Sequence, residues 1–102
     1  IPNFMYALWS LNNIEEFGNE NPVAIVPNPF HDYLHIQLNQ QVNHIHQIHI
    51  FSIDGKLIHS KYGKWKGGET IYLDEVQLLD QGIYFLILRS SEQDFVEKII
   101  KQ

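Results

Sequence analysis

Leu78-Leu-Asp-Gln-Gly-Ile-Tyr-Phe-Leu-Ile-Leu-Arg89 is the stretch whose reading decides the fold. Six consecutive apolar residues, Ile83 to Leu88, follow Gly82 with no polar face between them. A half-exposed strand would alternate, and a helix this short would not stand alone. The run therefore reads as a strand buried on both sides, the middle of a packed sheet. Asp80-Gln81-Gly82 in front of it is turn chemistry, with Gly82 free to take positive φ. Tyr84 falls where a tyrosine corner belongs, at the start of a penultimate sandwich strand with its hydroxyl reaching back to upstream backbone.

Outward from that strand, the chain alternates in short segments. Val23 to Val26 is a first strand, ended by Pro27-Asn28-Pro29, whose two prolines fix two φ angles and remove two donors. In Tyr33 to Leu38, Leu34, Ile36 and Leu38 point inward and Tyr33, His35 and Gln37 outward. His44 to Ile53 is the next strand; Ile45 has the opposite parity to Ile48 and Ile50, which predicts a bulge near Gln47. Asp54-Gly55 is a hairpin signal with Lys56 to Ser60 returning, and Tyr62 to Gly68 reads as loop carrying Trp65. Glu69 to Leu73 is a short strand with Ile71 and Leu73 inward. Val76, Leu78 and Leu79 are expected to pack the crossover, and Phe95 to Lys101 closes the domain. Seven short strands in about 80 residues predict an all-β, Ig-like β-sandwich.

Residues 1–21 differ. Phe4, Ala7, Leu8 and Leu11 fall at helical spacing, with Asn3 as a cap and Gly18 as a stop. This segment reads as a linker or the end of an upstream domain, with a short helix in it. The alternative is a helix packed on the sandwich through Trp9 and Phe17. Asn19 to Pro22 marks the boundary, so the domain is expected over residues 22–102. The chain starts without Met and without a signal-peptide pattern, and reads as a fragment of something longer.

Composition narrows the function. A formal net charge of −5 argues against nucleic acid, and the absence of cysteine leaves no disulfide, thiolate or cysteine-zinc chemistry. No apolar run reaches the roughly 18 residues a membrane span needs. Among the six histidines, His31, His35, His44, His46, His49 and His59, the pair His44 and His46 stands i,i+2 on a strand and would face one side. A third metal ligand would have to come from His35 or His59, and no carboxylate is spaced to complete a set. Outward strand positions tolerate histidine freely, so no metal or other cofactor is expected. Ser52, Ser60, Ser90 and Ser91 have no base within sequence reach, and no nucleophile elbow, phosphate loop or zinc-protease motif occurs, so no enzyme is expected. Trp9, Trp65 and Tyr62 are candidate sugar-stacking or partner residues, against the plainer reading of rim packing.

Four segments together resemble the C-terminal sorting domain of proteins exported by the type IX secretion system of Bacteroidetes. Val26-Pro27-Asn28-Pro29-Phe30 is similar to that family's Tyr-Pro-Asn-Pro start, with Val in place of Tyr. Ile48 to Ile58, with Gly55-Lys56 at its turn, resembles the family hairpin, although Ser52 stands where Asp is frequent. Leu79-Asp-Gln-Gly82-Ile83-Tyr84 resembles Leu-x-x-Gly-x-Tyr. Lys98-Ile99-Ile100-Lys101 resembles the closing strand, which in the family finishes at the chain terminus.

The resemblance implies an address without catalysis or cofactor. The folded domain would ride on the C-terminus of a cargo, pass through the periplasm, and be recognised by the outer-membrane translocon and a shuttle protein. A surface sortase would then cut upstream, in the Asn12 to Pro22 region. The cargo would end secreted or at the cell surface. Pro27, Asn28, Pro29, Gly55, Lys56, Gly82, Tyr84, Lys98, Ile99, Ile100 and Lys101 are the residues the resemblance marks for export recognition. As an edge, Phe95 to Lys101 would offer unpaired backbone groups for strand addition, by a partner or by a second copy in a strand-mediated homodimer, with Lys98 and Lys101 adding charge or guarding against aggregation. The competing reading is an Ig-like or fibronectin-like adhesion or carbohydrate-binding module using Tyr62 and Trp65.

Overall fold

A computed structural model describes residues 22–102. The segment read as linker or helix, residues 1–21, lies outside the described residues. Period-two patterning becomes seven strands among the described residues: β1 (Val23–Val26), β2 (Leu34–Leu38), β3 (Ile45–Ser52), β4 (Leu57–Trp65), β5 (Thr70–Leu73), β6 (Gly82–Ser90) and β7 (Asp94–Lys101). One 3₁₀ turn, Glu75–Leu78, connects β5 towards β6. The strands form two antiparallel sheets, β1-β2-β5 and β4-β3-β6-β7, in an immunoglobulin-type sandwich.

The inner faces meet as the alternation requires. Leu34 and Ile36 from β2 and Ile71 and Leu73 from β5 face Ile45, Ile48 and Ile50 from β3, Leu86 and Leu88 from β6, and Ile99 from β7. All of these are at most 1% exposed. Ile45 joins its opposite-parity neighbours in this core because the ladder shifts between Ile45 and Gln47 on both sides of β3. The bulge the parity conflict predicts is there.

β6 runs between β3 and β7, so the uninterrupted apolar stretch is an interior strand. Its alternate residues Phe85 and Ile87 are buried on the face away from the core cluster, at 7% and 6% exposure, and only Ile83 at its start reaches solvent.

Two expectations need correcting. β4 does not stop near Ser60 but continues to Trp65, so the loop expected from Tyr62 begins at Lys66. The indole of Trp65 packs against the core while Ile45 pairs with it, and Gly63 leaves space for the ring, which would lie 2.7 Å from any Cβ there. Tertiary anchoring thus extends a strand whose Tyr-Gly-Lys segment has no alternation. Leu78 does not pack the crossover; it is 86% exposed. A 3₁₀ turn repeats every three residues, so Val76 and Leu79 share the inward side and Glu75 and Leu78 the outward one.

Candidate recognition surface

The cross-strand register brings the four sequence motifs to one end of the larger sheet. Ser52 pairs with Tyr84, Tyr84 with Ile99, and Gly82 with Lys101. The β3–β4 turn, the start of β6 and the end of β7 therefore lie side by side, and the Pro27–Pro29 segment runs as a strap along the outer edge of β7 beside them.

Each part is built locally. At the β3–β4 turn, Gly55 N–H donates to Ser52 O at 2.9 Å, Ser52 N–H donates to Lys56 O at 2.8 Å, and Gly55 takes φ +91°. This is a turn closed by a left-handed glycine, the bulged hairpin such a residue serves. Ser52 hydroxyl donates to the Asp54 carboxylate and accepts from Lys56 N–H. That hydrogen bond, ahead of a small opposing burial effect, holds Asp54 below the usual carboxylate range. Ser52 in the family's Asp position thus still organises the turn.

At the start of β6, Gly82 has φ +150° and Tyr84 hydroxyl donates to Asp80 O at 2.7 Å. The tyrosine corner is formed, four residues back along the chain. Burial, with the nearby Asp80 charge adding to it, pushes the Tyr84 phenol up.

The strap is the feature the sequence does not reveal. Both Val26-Pro27 and Asn28-Pro29 are cis, and the chain leaves β1 to lie along β7. Asn28 Nδ2 donates to Lys98 O at 2.9 Å, and Ile100 N–H donates to Asn28 Oδ1 at 3.0 Å. Phe30 N–H donates to Ile100 O at 2.8 Å, Gln102 N–H donates to Phe30 O at 2.9 Å, and Phe30 bridges Lys101 in the parallel sense. The C-terminal half of β7 is therefore not a row of free backbone groups. The strand is an edge, as expected, but Asn28 and Phe30 have closed that half of it.

Lys101 is corrected too. It is 9% exposed, and its ammonium donates to the carbonyls of His31, Val76 and Gln77 while lying 5.6 Å from the Phe30 ring centroid. Its charge faces inward and does not decorate the edge. Lys98 and Lys56 are exposed and do.

The remaining candidates scatter. His44 and His46 face the same way with ring centroids 6.5 Å apart. His35 sits on the other sheet between Tyr33 and Tyr72, and His59 lies 3.7 Å from Glu75, which also pairs with Lys61 at 3.0 Å. Among the described residues no three metal-capable side chains come together. Tyr62 is open but stands edge-on to His49 at 6.0 Å, while Trp65 turns to the core, so they form no shared platform.

The described residues form a small immunoglobulin-type sandwich with its motif residues gathered at one pole. The family of secretion system C-terminal sorting domains matches residues 24–102, and the chain belongs to that family. It is a sorting signal of type IX secretion, which implies export to the cell surface or the extracellular space; the family is not one of enzymes. No curated protein matches the chain.

Proposed function

We propose that residues 22–102 act as a conformational address for export of an attached cargo, read at the motif pole by the outer-membrane translocon and its shuttle protein. The observation that carries this reading is the strap: Asn28 is hydrogen-bonded to Lys98 and Ile100 across 70 and 72 residues of sequence. The opening and closing motifs of the matched region are one surface, so an unfolded chain does not present it. Lys56 and Lys98 supply exposed charge to that surface, and Lys101, Tyr84 and Gly82 support it from within.

Cargo attaches at the other pole. Pro22 O accepts from Asn39 N–H at 2.9 Å, at the end of the sandwich holding the β6–β7 turn. The nine residues of β6 separate the poles by about 27–30 Å. A translocon can therefore grip one end while a surface sortase reaches the Asn12 to Pro22 region at the other, after periplasmic transit. Pairing of the C-terminal half of β7 with a second copy would first have to displace Asn28 and Phe30.

A secretion assay tests this. Residues 19–102 are fused behind a signal peptide and a fluorescent reporter in a type IX-competent host, beside a version lacking residues 97–102. The intact fusion is expected at the surface or in the medium and the truncated one in the periplasm. Retention of both, with the purified intact domain folded, would refute the address.

A further inference from the structure

The six histidines are not alike in the fold. His49 is held between Ser60 and Gln47, His35 between Tyr33 and Tyr72, and His59 beside Glu75. His31 lies at the motif pole, where its carbonyl receives the Lys101 ammonium. His44 and His46 are different. Both are exposed, they stand together, and neither ring is hydrogen-bonded or ion-paired to another described residue. Four ring nitrogens are therefore available on one patch of surface.

The fold sets the pair up. Ile45 between them is fully buried, so both rings leave the chain on the opposite side. β3 is an interior strand held by β4 and β6, which fixes the backbone beneath the rings. His46 takes no Cα partner in either ladder, as the extra residue of the bulge between Ile45 and Gln47. The ring centroids are 6.5 Å apart and the planes 28° from parallel. Two imidazoles on one tetrahedral ion, with metal–nitrogen bonds of about 2.0–2.1 Å, bring their centroids to about 5 Å. Exposed side chains rotate within nanoseconds, and a turn of the two rings toward one another covers the difference.

We propose that His44 and His46 form a two-imidazole chelate for a late first-row divalent ion, zinc or copper. Neutral imidazole suits both ions, and copper is expected to bind more tightly than zinc. No third metal-capable side chain joins the pair among the described residues, so water fills the other positions and the site is open on its outer side. Ile45 pairs with Ser90 at the end of β6, which puts the ion near the cargo pole and leaves the motif residues uncovered. Ion binding is then a property of the domain separate from how its motif pole is read.

Calorimetric titration of the full 102-residue chain with zinc chloride, in a buffer that does not bind metal, tests this. One ion per chain is expected. His44→Gln and His46→Gln are each expected to weaken binding by about tenfold or more, because the second imidazole acts as an intramolecular ligand. His35→Gln, on the other sheet, is expected to bind as the parent does. In NMR spectra of the parent, the His44 and His46 ring signals shift together on adding zinc while those of His49 and His59 hold still, a readout that needs no variant. Absence of binding at millimolar zinc, affinity unchanged in both variants, or one ion shared by two chains would each overturn the proposal. No export step enters the measurement, so its failure leaves the sorting reading standing, and failure in the secretion assay leaves the chelate standing.

Discussion

Replacing Lys101 by methionine removes an ammonium while keeping most of the aliphatic stem over Phe30. Hydrogen bonds to a charged group contribute about 1.5–3 kcal/mol each, but their sum overstates the effect because the ammonium was itself desolvated, at several kcal/mol. What the variant leaves behind is the better guide. The Val76 carbonyl is buried at its contact with Nζ and loses its donor, whereas those of His31 and Gln77 are partly buried and regain water. One stranded carbonyl at about 1–3 kcal/mol, plus a cation–π contact of about 0.5–1 kcal/mol, gives a net loss of about 2–3 kcal/mol. For a domain of this size that lowers Tm by about 10–20 °C. Urea unfolding of the full chain reads it as a fall in midpoint at unchanged slope. Lys98→Met, at an exposed site on the same strand, is the control and stays within about 0.5 kcal/mol of the parent. Lys101→Arg is expected to recover little, because a planar fork does not converge on three carbonyls as an ammonium does. Equal midpoints for Lys101→Met and Lys98→Met would refute this stabilising role of the buried Lys101 ammonium.

Asn28→Ala removes both strap bonds at a solvent-exposed site; it is expected to cost only about 1 kcal/mol in unfolding but to abolish surface delivery of the reporter fusion. Gly67→Ala would place a Cβ 2.6–2.7 Å from the carbonyl oxygens of Asn39, Gln40 and Val42, backbone atoms that cannot swing aside, and is expected to destabilise by about 1–3 kcal/mol in the same urea assay. His49 is held below its ordinary value by burial and then by Arg89, against a smaller pull from Asp94. Its Nε2 lies 3.1 Å from Gln47 Oε1 and its Nδ1 2.9 Å from the Ser60 hydroxyl, so in the neutral ring with Nε2–H donating to Gln47 the Ser60 hydroxyl donates to Nδ1. A lowered folded value means stability present above about pH 6.5 and lost as pH falls through it, so the drop in midpoint between about pH 7.5 and about pH 5.5 is expected to be smaller in His49→Gln than in the parent.

Period-two parity was enough for most of the framework. It located the interior strand at Ile83 to Leu88, the inward set Leu34, Ile36 and Leu38, and the bulge between Ile45 and Gln47. The tyrosine corner was legible because its chemistry is local, Gly82 and Tyr84 standing beside the carbonyl they use. The length of β4 was not, since Trp65 holds it in place from the core and nothing in Tyr62-Gly63-Lys64 alternates. Lys101 could have been found: it shares parity with the inward Ile99, and a lysine there has to bury its charge or break the strand. The Asn28 clasp had no comparable signal, because its partners are backbone groups 70 and 72 residues away.

The placement of Gly67 and Asn28 separates two ways an address could fail. Gly67 lies against the Asn39–Val42 segment, at the pole where Pro22 enters, and touches none of the motif residues. Asn28 sits on the motif surface and contributes little to the core. If the export machinery reads a folded surface, Gly67→Ala lowers delivery only as far as it lowers the folded fraction, while Asn28→Ala lowers delivery in a domain that remains folded. A signal read as a linear C-terminal peptide would reverse this pattern: both substitutions lie outside the last strand, so neither would lower delivery, and unfolding at Gly67 would if anything expose the tail. Edge-strand physics favours the folded surface. With the C-terminal half of β7 already paired to Asn28 and Phe30, the bare backbone that a strand-adding receptor would need there is available only after the strap opens.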